Sequence, residues 1–179
     1  MRIYDGSPRQ NWDEVLRSIG AFADRERLKE LLFLELEDGF LLQGMGVPAG
    51  GADSDTMGTL AKRTYELLDD QVGQLIDEAT SKRGSVEDAA PHLGVQNYYE
   101  QALRIIGAWL DEQKSRDVFF FEQDGSFVMR TLQAGSGGSI GHRLAEFTKD
   151  EIVAMIEAAP QQRNAAPQQP AAPTPEATK

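Results

Sequence analysis

The chain has 179 residues, a formal charge of −11 and no cysteine. That length suits one compact unit or two small ones, and the charge disfavours duplex DNA, RNA and anionic membranes as general partners, because like charges repel phosphate. Without cysteine there are no disulfides and no thiolate metal sites, which fits a reducing, cytoplasmic setting.

The opening residues, MRIYDGSPRQNW, carry no apolar core of the kind a secretion signal needs, and no run approaches the roughly 18 apolar residues of a membrane span. RIYDG reads as a possible extra strand. From Trp12 to about Arg27, apolar residues recur at 12, 15, 16, 19, 22 and 23, while Asp13, Glu14, Arg17 and Arg25 fall between them. This is the stripe of an amphipathic helix.

LLFLELEDGFLLQGM follows as two apolar runs around a turn signal, a β-hairpin with Asp38-Gly39 as a two-residue type I′ turn. Alternation in FLELED puts Leu34 and Leu36 on one face and Phe33, Glu35 and Glu37 on the other, so Glu35 is expected on a wet face. A glycine-rich loop, GVPAGGADSDTMG, then leads to KRTYELLDDQVGQLID, a strand passing into a helix that Asp69 can cap. Residues 81–94 read as a connector.

After the connector the pattern returns. Residues 104–130 match residues 17–43 without a gap at an offset of 87, through Arg17/Arg104, Ile19/Ile106, Gly20/Gly107, Ala21/Ala108, Asp24/Asp111, Phe33/Phe120, Glu35/Glu122 and Phe40/Phe127. The helix from Tyr98 to about Lys114 repeats the first stripe, and DVFFFEQDGSFVMRTL repeats the hairpin, with Asp124-Gly125-Ser126 expected to hold a small bulge. The second glycine loop, AGSGGSIG, is shorter, so HRLAEFTKDEIVAMIE aligns with residues 62–77 at an offset of 80. In it Thr148 and Glu151 form a capping box, with Phe147 and Ile152 placed as a hydrophobic staple.

The expected architecture is therefore α+β: an internal duplication of an α-β-β-β-α unit, forming a pseudo-twofold single domain with an antiparallel sheet. Residues 1–80 are the first repeat, 81–94 the connector, 95–160 the second repeat, and 161–179 an Ala/Pro/Gln-rich tail that cannot bury a core. The segment after Ala159 carries Arg163 and Lys179 against Glu176, a net of +1, which leaves −12 on the rest.

Candidate chemistry is sparse. Each glycine loop precedes a basic dipeptide, so Gly50, Gly51, Lys62 and Arg63, with Gly137, Gly138, His142 and Arg143, form a possible anion site in which backbone N–H groups and cations cradle a small ligand. Neither loop has the lysine or the strand-loop-helix setting of a P-loop, and a flexible connection followed by edge-blunting charges explains the same residues. Glu35 and Glu122 could meet across a twofold axis and share a proton. No metal-ligand spacing and no nucleophile elbow accompanies them, so no catalytic residue, metal or cofactor is expected. Gly20 and Gly107, costly in mid-helix, point to close packing.

Function is expected to be non-enzymatic protein binding, as an adaptor or chaperone-like module, with a protein partner or a homodimer and no nucleic acid or membrane. If the helices cover one sheet face, the other is left for a second chain. The acidic α-β-β-β-α order resembles that of type III secretion chaperones, which hold partner chains against helix and sheet surfaces; the likeness is one of element order and charge, and no motif carries it. Two alternatives are a small-anion or metabolite binder or enzyme with its site at the seam between repeats, and a nucleic-acid binder like other duplicated α/β saddles, which the acidity opposes.

Overall fold

A computed structural model describes residues 11–46, 60–81, 97–134 and 139–158. The elements are α1 (Trp12–Arg25), β1 (Lys29–Leu36), β2 (Gly39–Gly46), β3 (Ala61–Leu68), α2 (Asp69–Ser81), α3 (Tyr98–Glu112), β4 (Arg116–Gln123), β5 (Ser126–Ala134), β6 (Ile140–Phe147) and α4 (Lys149–Ala158). The strands form one six-stranded sheet in the order β3-β2-β1-β4-β5-β6, antiparallel throughout. The chain is thus an α+β protein. The RIYDG segment, most of both glycine loops, most of the 81–94 connector and the 161–179 tail lie outside the described residues.

Helix α1 starts where Asn11 caps it, its side-chain oxygen accepting the Glu14 N–H at 2.9 Å. Asp13 and Glu14 in the first turn suit the positive end of the helix dipole. The stripe read from the sequence is the buried one: Val15, Leu16, Ile19 and Ala23 are fully enclosed, as are Tyr99, Ala102, Leu103, Ile106 and Leu110 of α3. Helix α4 opens on the expected capping box, with the Thr148 N–H on Glu151 Oε2 at 2.8 Å and the Glu151 N–H on Thr148 Oγ1 at 3.3 Å. At α2 the helix begins at Asp69 itself, so Leu68 takes the cap position, and Gln71 Oε1 accepts its N–H at 3.0 Å.

Helices α1 and α3 pack against each other on one face of the sheet. A Cβ at Gly20 would overlap the Tyr99 carbonyl and stand 2.8 Å from Glu100 Cα; one at Gly107 would overlap the Trp12 carbonyl and stand 2.7 Å from Asp13 Cα. Each glycine thus admits the first turn of the other helix, the close packing that its mid-helix cost implied. Helix α2 lies beside α1 over β2 and β3, and α4 lies beside α3 near β5. Between helices and sheet, Phe33 and Phe120 stack at 4.8 Å with planes 11° apart, flanked by Phe40 at 5.1 Å and Phe127 at 5.8 Å.

The hairpin turns reverse the expectation. Asp124 and Gly125 both have positive φ, 51° and 86°, between paired Gln123 and Ser126, so the second hairpin has the two-residue turn of type I′ character and no added residue. In the first, Glu37 and Asp38 form the turn and Gly39 pairs with Leu36. The bulges lie at the other end of the hairpins, between Lys29 and Leu32 and between Arg116 and Phe119, where Glu30 and Asp117 take φ of 52°.

Candidate functional site: the uncovered face of the sheet

The buried polar groups near the central strands complete the fold. Glu35 and Glu122 are both buried, a correction to the expectation of a wet face. Each points to the helix side and fills the bulge of the other central strand: Glu35 Oε2 accepts the Val118 N–H at 3.0 Å, and Glu122 Oε2 accepts the Leu31 N–H at 3.1 Å. A bulge frees a ladder N–H, and a buried N–H without an acceptor would cost about 1–3 kcal/mol. Glu122 also accepts the Tyr99 hydroxyl at 2.7 Å and the Gly125 N–H at 2.7 Å. Burial and the Glu122 charge push the Tyr99 phenol well above its ordinary range.

A second carboxylate pair works at the helix ends. Asp24 accepts the N–H groups of Tyr99 and Glu100 at 3.2 and 2.9 Å, while Asp111 accepts those of Trp12 and Asp13 at 2.9 and 3.0 Å. Each helix therefore caps the start of the other. Burial raises the Asp24 carboxyl to about 7, against the pull of its two N–H donors. These acids spend their lone pairs on backbone N–H groups, which leaves them poorly placed for acid–base chemistry.

The residues read as an anion site are spread apart. Lys62 and Arg63 lie on β3 and His142 and Arg143 on β6, the two outer strands, some five strand spacings or about 24 Å apart. Within each dipeptide the strand alternation sends the two side chains to opposite faces. Arg63, on the helix side, pairs with Glu26 at 3.2 Å and lies 5.4 Å from the Tyr65 ring; Arg143 donates to Gln133 Oε1 at 3.3 Å. Gly50, Gly51, Gly137 and Gly138 lie outside the described residues. Among the described residues no group of three or more His, Asp or Glu side chains could hold a metal ion.

What remains is the second face. Directly paired residues point the same way, so the register Leu32↔Phe121, Leu34↔Phe119, Leu34↔Leu41 and Phe121↔Val128 gathers leucine, phenylalanine and valine over the four central strands, away from all four helices. Among the described residues these side chains have only one another for cover, and Phe121 is 41% exposed. On β6, Leu144 is 80% and Ile140 70% exposed on the same side, paired with Arg130 and Ala134. A groove of about 310 Å³ runs there, lined by Phe119, Phe121, Val128, Met129, Arg130 and Leu144. The Arg130 guanidinium lies 6.0 Å from the Phe119 ring.

Charge on this face is balanced. Register places Lys62 and Glu66 on its β3 margin and His142 and Glu146 on its β6 margin, with Arg130 between. The acidic excess of the chain therefore lies elsewhere. The apolar run Phe119-Phe120-Phe121 lies on β4, a central strand, and among the described residues it is covered on one side only. Leu144 and Ile140 escaped the sequence reading, because a β6 segment as polar as IGHRLAEF signals an edge and not which of its faces is apolar.

Fold and surface define an α+β protein with a one-sided six-stranded antiparallel sheet and an apolar outer face. Comparison with known proteins finds no matching family model, no matching curated protein and no matching solved structure. Among the described residues no helix is long and apolar enough to cross a membrane.

Proposed function

We propose that this chain is a non-enzymatic protein-interaction module, an adaptor or chaperone-like holder, whose working surface is the uncovered face of the sheet. One observation carries the reading: a broad apolar face, neutral in charge, persists in a chain with an acidic excess. Contiguous exposed apolar surface of this extent marks interaction sites in proteins that fold stably, since leaving it in water invites association. The absence of cysteine suits a cytoplasmic setting.

The module is built, on this reading, by duplication of one α-β-β-β-α unit about a pseudo-twofold axis between β1 and β4. Support comes from pairs of residues 87 positions apart that do the same work. Asp24 and Asp111 cap a helix, Gly20 and Gly107 admit a helix, Glu35 and Glu122 fill a bulge, and Phe33 and Phe120 stack on each other. Glu30 and Asp117, with Arg27 and Lys114, share the same left-handed backbone. Joining two units edge to edge gives one sheet wide enough to serve as a platform.

The test is retention of polypeptides from the native host's lysate by the full chain and by Phe121→Arg, with a thermal melt showing both folded. A polypeptide retained by the wild type and lost from the variant is expected. Identical retention by both, or none by either, overturns the reading.

A further inference from the structure

We infer that the polypeptide covering the open face is a second copy of this chain, the two sheets packing face to face as a symmetric dimer. This rests on the proposal that the face binds protein, and it names the occupant. Size is the first argument. Six strands about 4.8 Å apart and eight residues long at about 3.4 Å each make a face of roughly 29 by 27 Å, or about 800 Å². A stable two-protein interface takes about 800 Å² from each partner. One copy of this sheet covers another without remainder, whereas a single docked strand or helix would leave most of the face in water.

Charge arrangement is the second. On the open side of β3, Lys62 and Glu66 lie four residues apart; on β6, His142 and Glu146 do. The sheet order makes β3 and β6 run in opposite directions. The ladder sets Thr64 level with Glu146 and Glu66 level with Leu144. A twofold axis parallel to the strands therefore lays β3 of one copy over β6 of the other with Thr64 over Glu146, Glu66 over Leu144 and Lys62 one same-face position along from Glu146. An axis across the strands lays each outer strand over its own copy, and the same levels let it pair Lys62 with Glu66 only by setting Glu146 over Glu146, or His142 with Glu146 only by setting Glu66 over Glu66. The axis along the strands therefore sets no acid over an acid and leaves Lys62 and His142 each one same-face position from an acid of the other copy. That is the self-complementarity an isologous interface needs. Aligned sheets packed this way are the ordinary geometry of a β-sandwich, about 10 Å apart.

The test is the mass of the purified full chain in sedimentation velocity from about 1 to 100 μM. A species of twice the 19.7 kDa chain mass is expected. Leu144→Glu, at a position 80% exposed in the single chain and so harmless to its fold, should weaken association at least tenfold, as should Phe121→Arg. Lys62→Glu should weaken it too. Adding Glu146→Lys should restore association, since the axis along the strands puts residue 62 beside residue 146 of the other copy.

A wild type that stays monomeric at 100 μM overturns the inference, and so does a dimer that survives both Leu144→Glu and Phe121→Arg, which would be joined at a strand edge. Failure of Glu146→Lys to restore association overturns it as well. A monomer whose lysate partner is lost with Phe121→Arg would remove the second copy yet keep the binding face; a monomer retaining no polypeptide removes both.

Discussion

The two faces of this sheet are made by the same strands, yet they have different fates. On the helix side Phe33, Phe40, Phe120 and Phe127 are fully enclosed, ring against ring. On the other side, among the described residues, Phe119, Phe121, Leu32 and Leu34 have only their neighbours in the sheet for cover. Alternation fills both sides with apolar residues, and four helices suffice for one. An antiparallel sheet with one wet face ordinarily turns polar there. This one is apolar apart from Gln43, Arg130 and its margins on β3 and β6, and that contrast is what supports the proposal that the face is a place of assembly.

The contrast breaks most sharply by emptying the covered side. Phe120→Ala should lower stability by about 3–5 kcal/mol, through lost burial and the cavity left against Phe33, read as a shift of the urea midpoint with the slope unchanged. Gly107→Ala comes next. Its new methyl meets the Trp12 backbone and cannot be relieved by a side-chain rotation, so a loss of about 2–3 kcal/mol is expected in the same measurement.

The helix caps supply a pH signature. The folded-state carboxyl of Asp24, at about 7, lies above its unperturbed value of 3.8, so between these pH values the folded chain holds the proton more tightly than the unfolded one. The stability it contributes is complete below about pH 4 and is lost as pH rises through 7. From pH 5 to pH 7 this group should remove about 2 kcal/mol, and Asp24→Asn should flatten that part of the pH profile of unfolding. At the open face the effects on the single chain should be the smallest. Leu144→Ala, compared at concentrations low enough to keep chains apart, should alter stability by no more than about 0.5 kcal/mol. A large loss there would mean the face is covered within one chain, and the comparison would collapse.

Much of the architecture was legible because its signals are local. The apolar stripes of α1 and α3 sit at helical spacing, the Thr148–Glu151 box marks the start of α4, and the hairpins announce themselves by apolar runs around Asp-Gly. Even so, the choice of type I′ turn went to the wrong hairpin, because Asp-Gly permits positive φ without requiring it, and in the first hairpin Gly39 is held in a ladder against Leu36 and close to the Leu67 backbone. Glu35 was misplaced for a related reason. Alternation put it correctly on the face of Phe33, but which face would be dry was not written in those residues.

Sequence alone determined the kinds of element, their order and the faces on which apolar residues gather, since periods of 2 and 3.6 residues are properties of neighbouring positions. Tertiary structure alone decided that β1 pairs with β4, that Glu35 and Glu122 exchange places across that pairing, and that the helices choose one side of the sheet. Those outcomes join residues more than 80 positions apart, as Val118 joins Glu35 and Leu31 joins Glu122. A buried carboxylate becomes tolerable only when a distant bulge supplies its N–H donors, and an apolar face becomes a candidate site only when no part of the folded chain is seen to reach it.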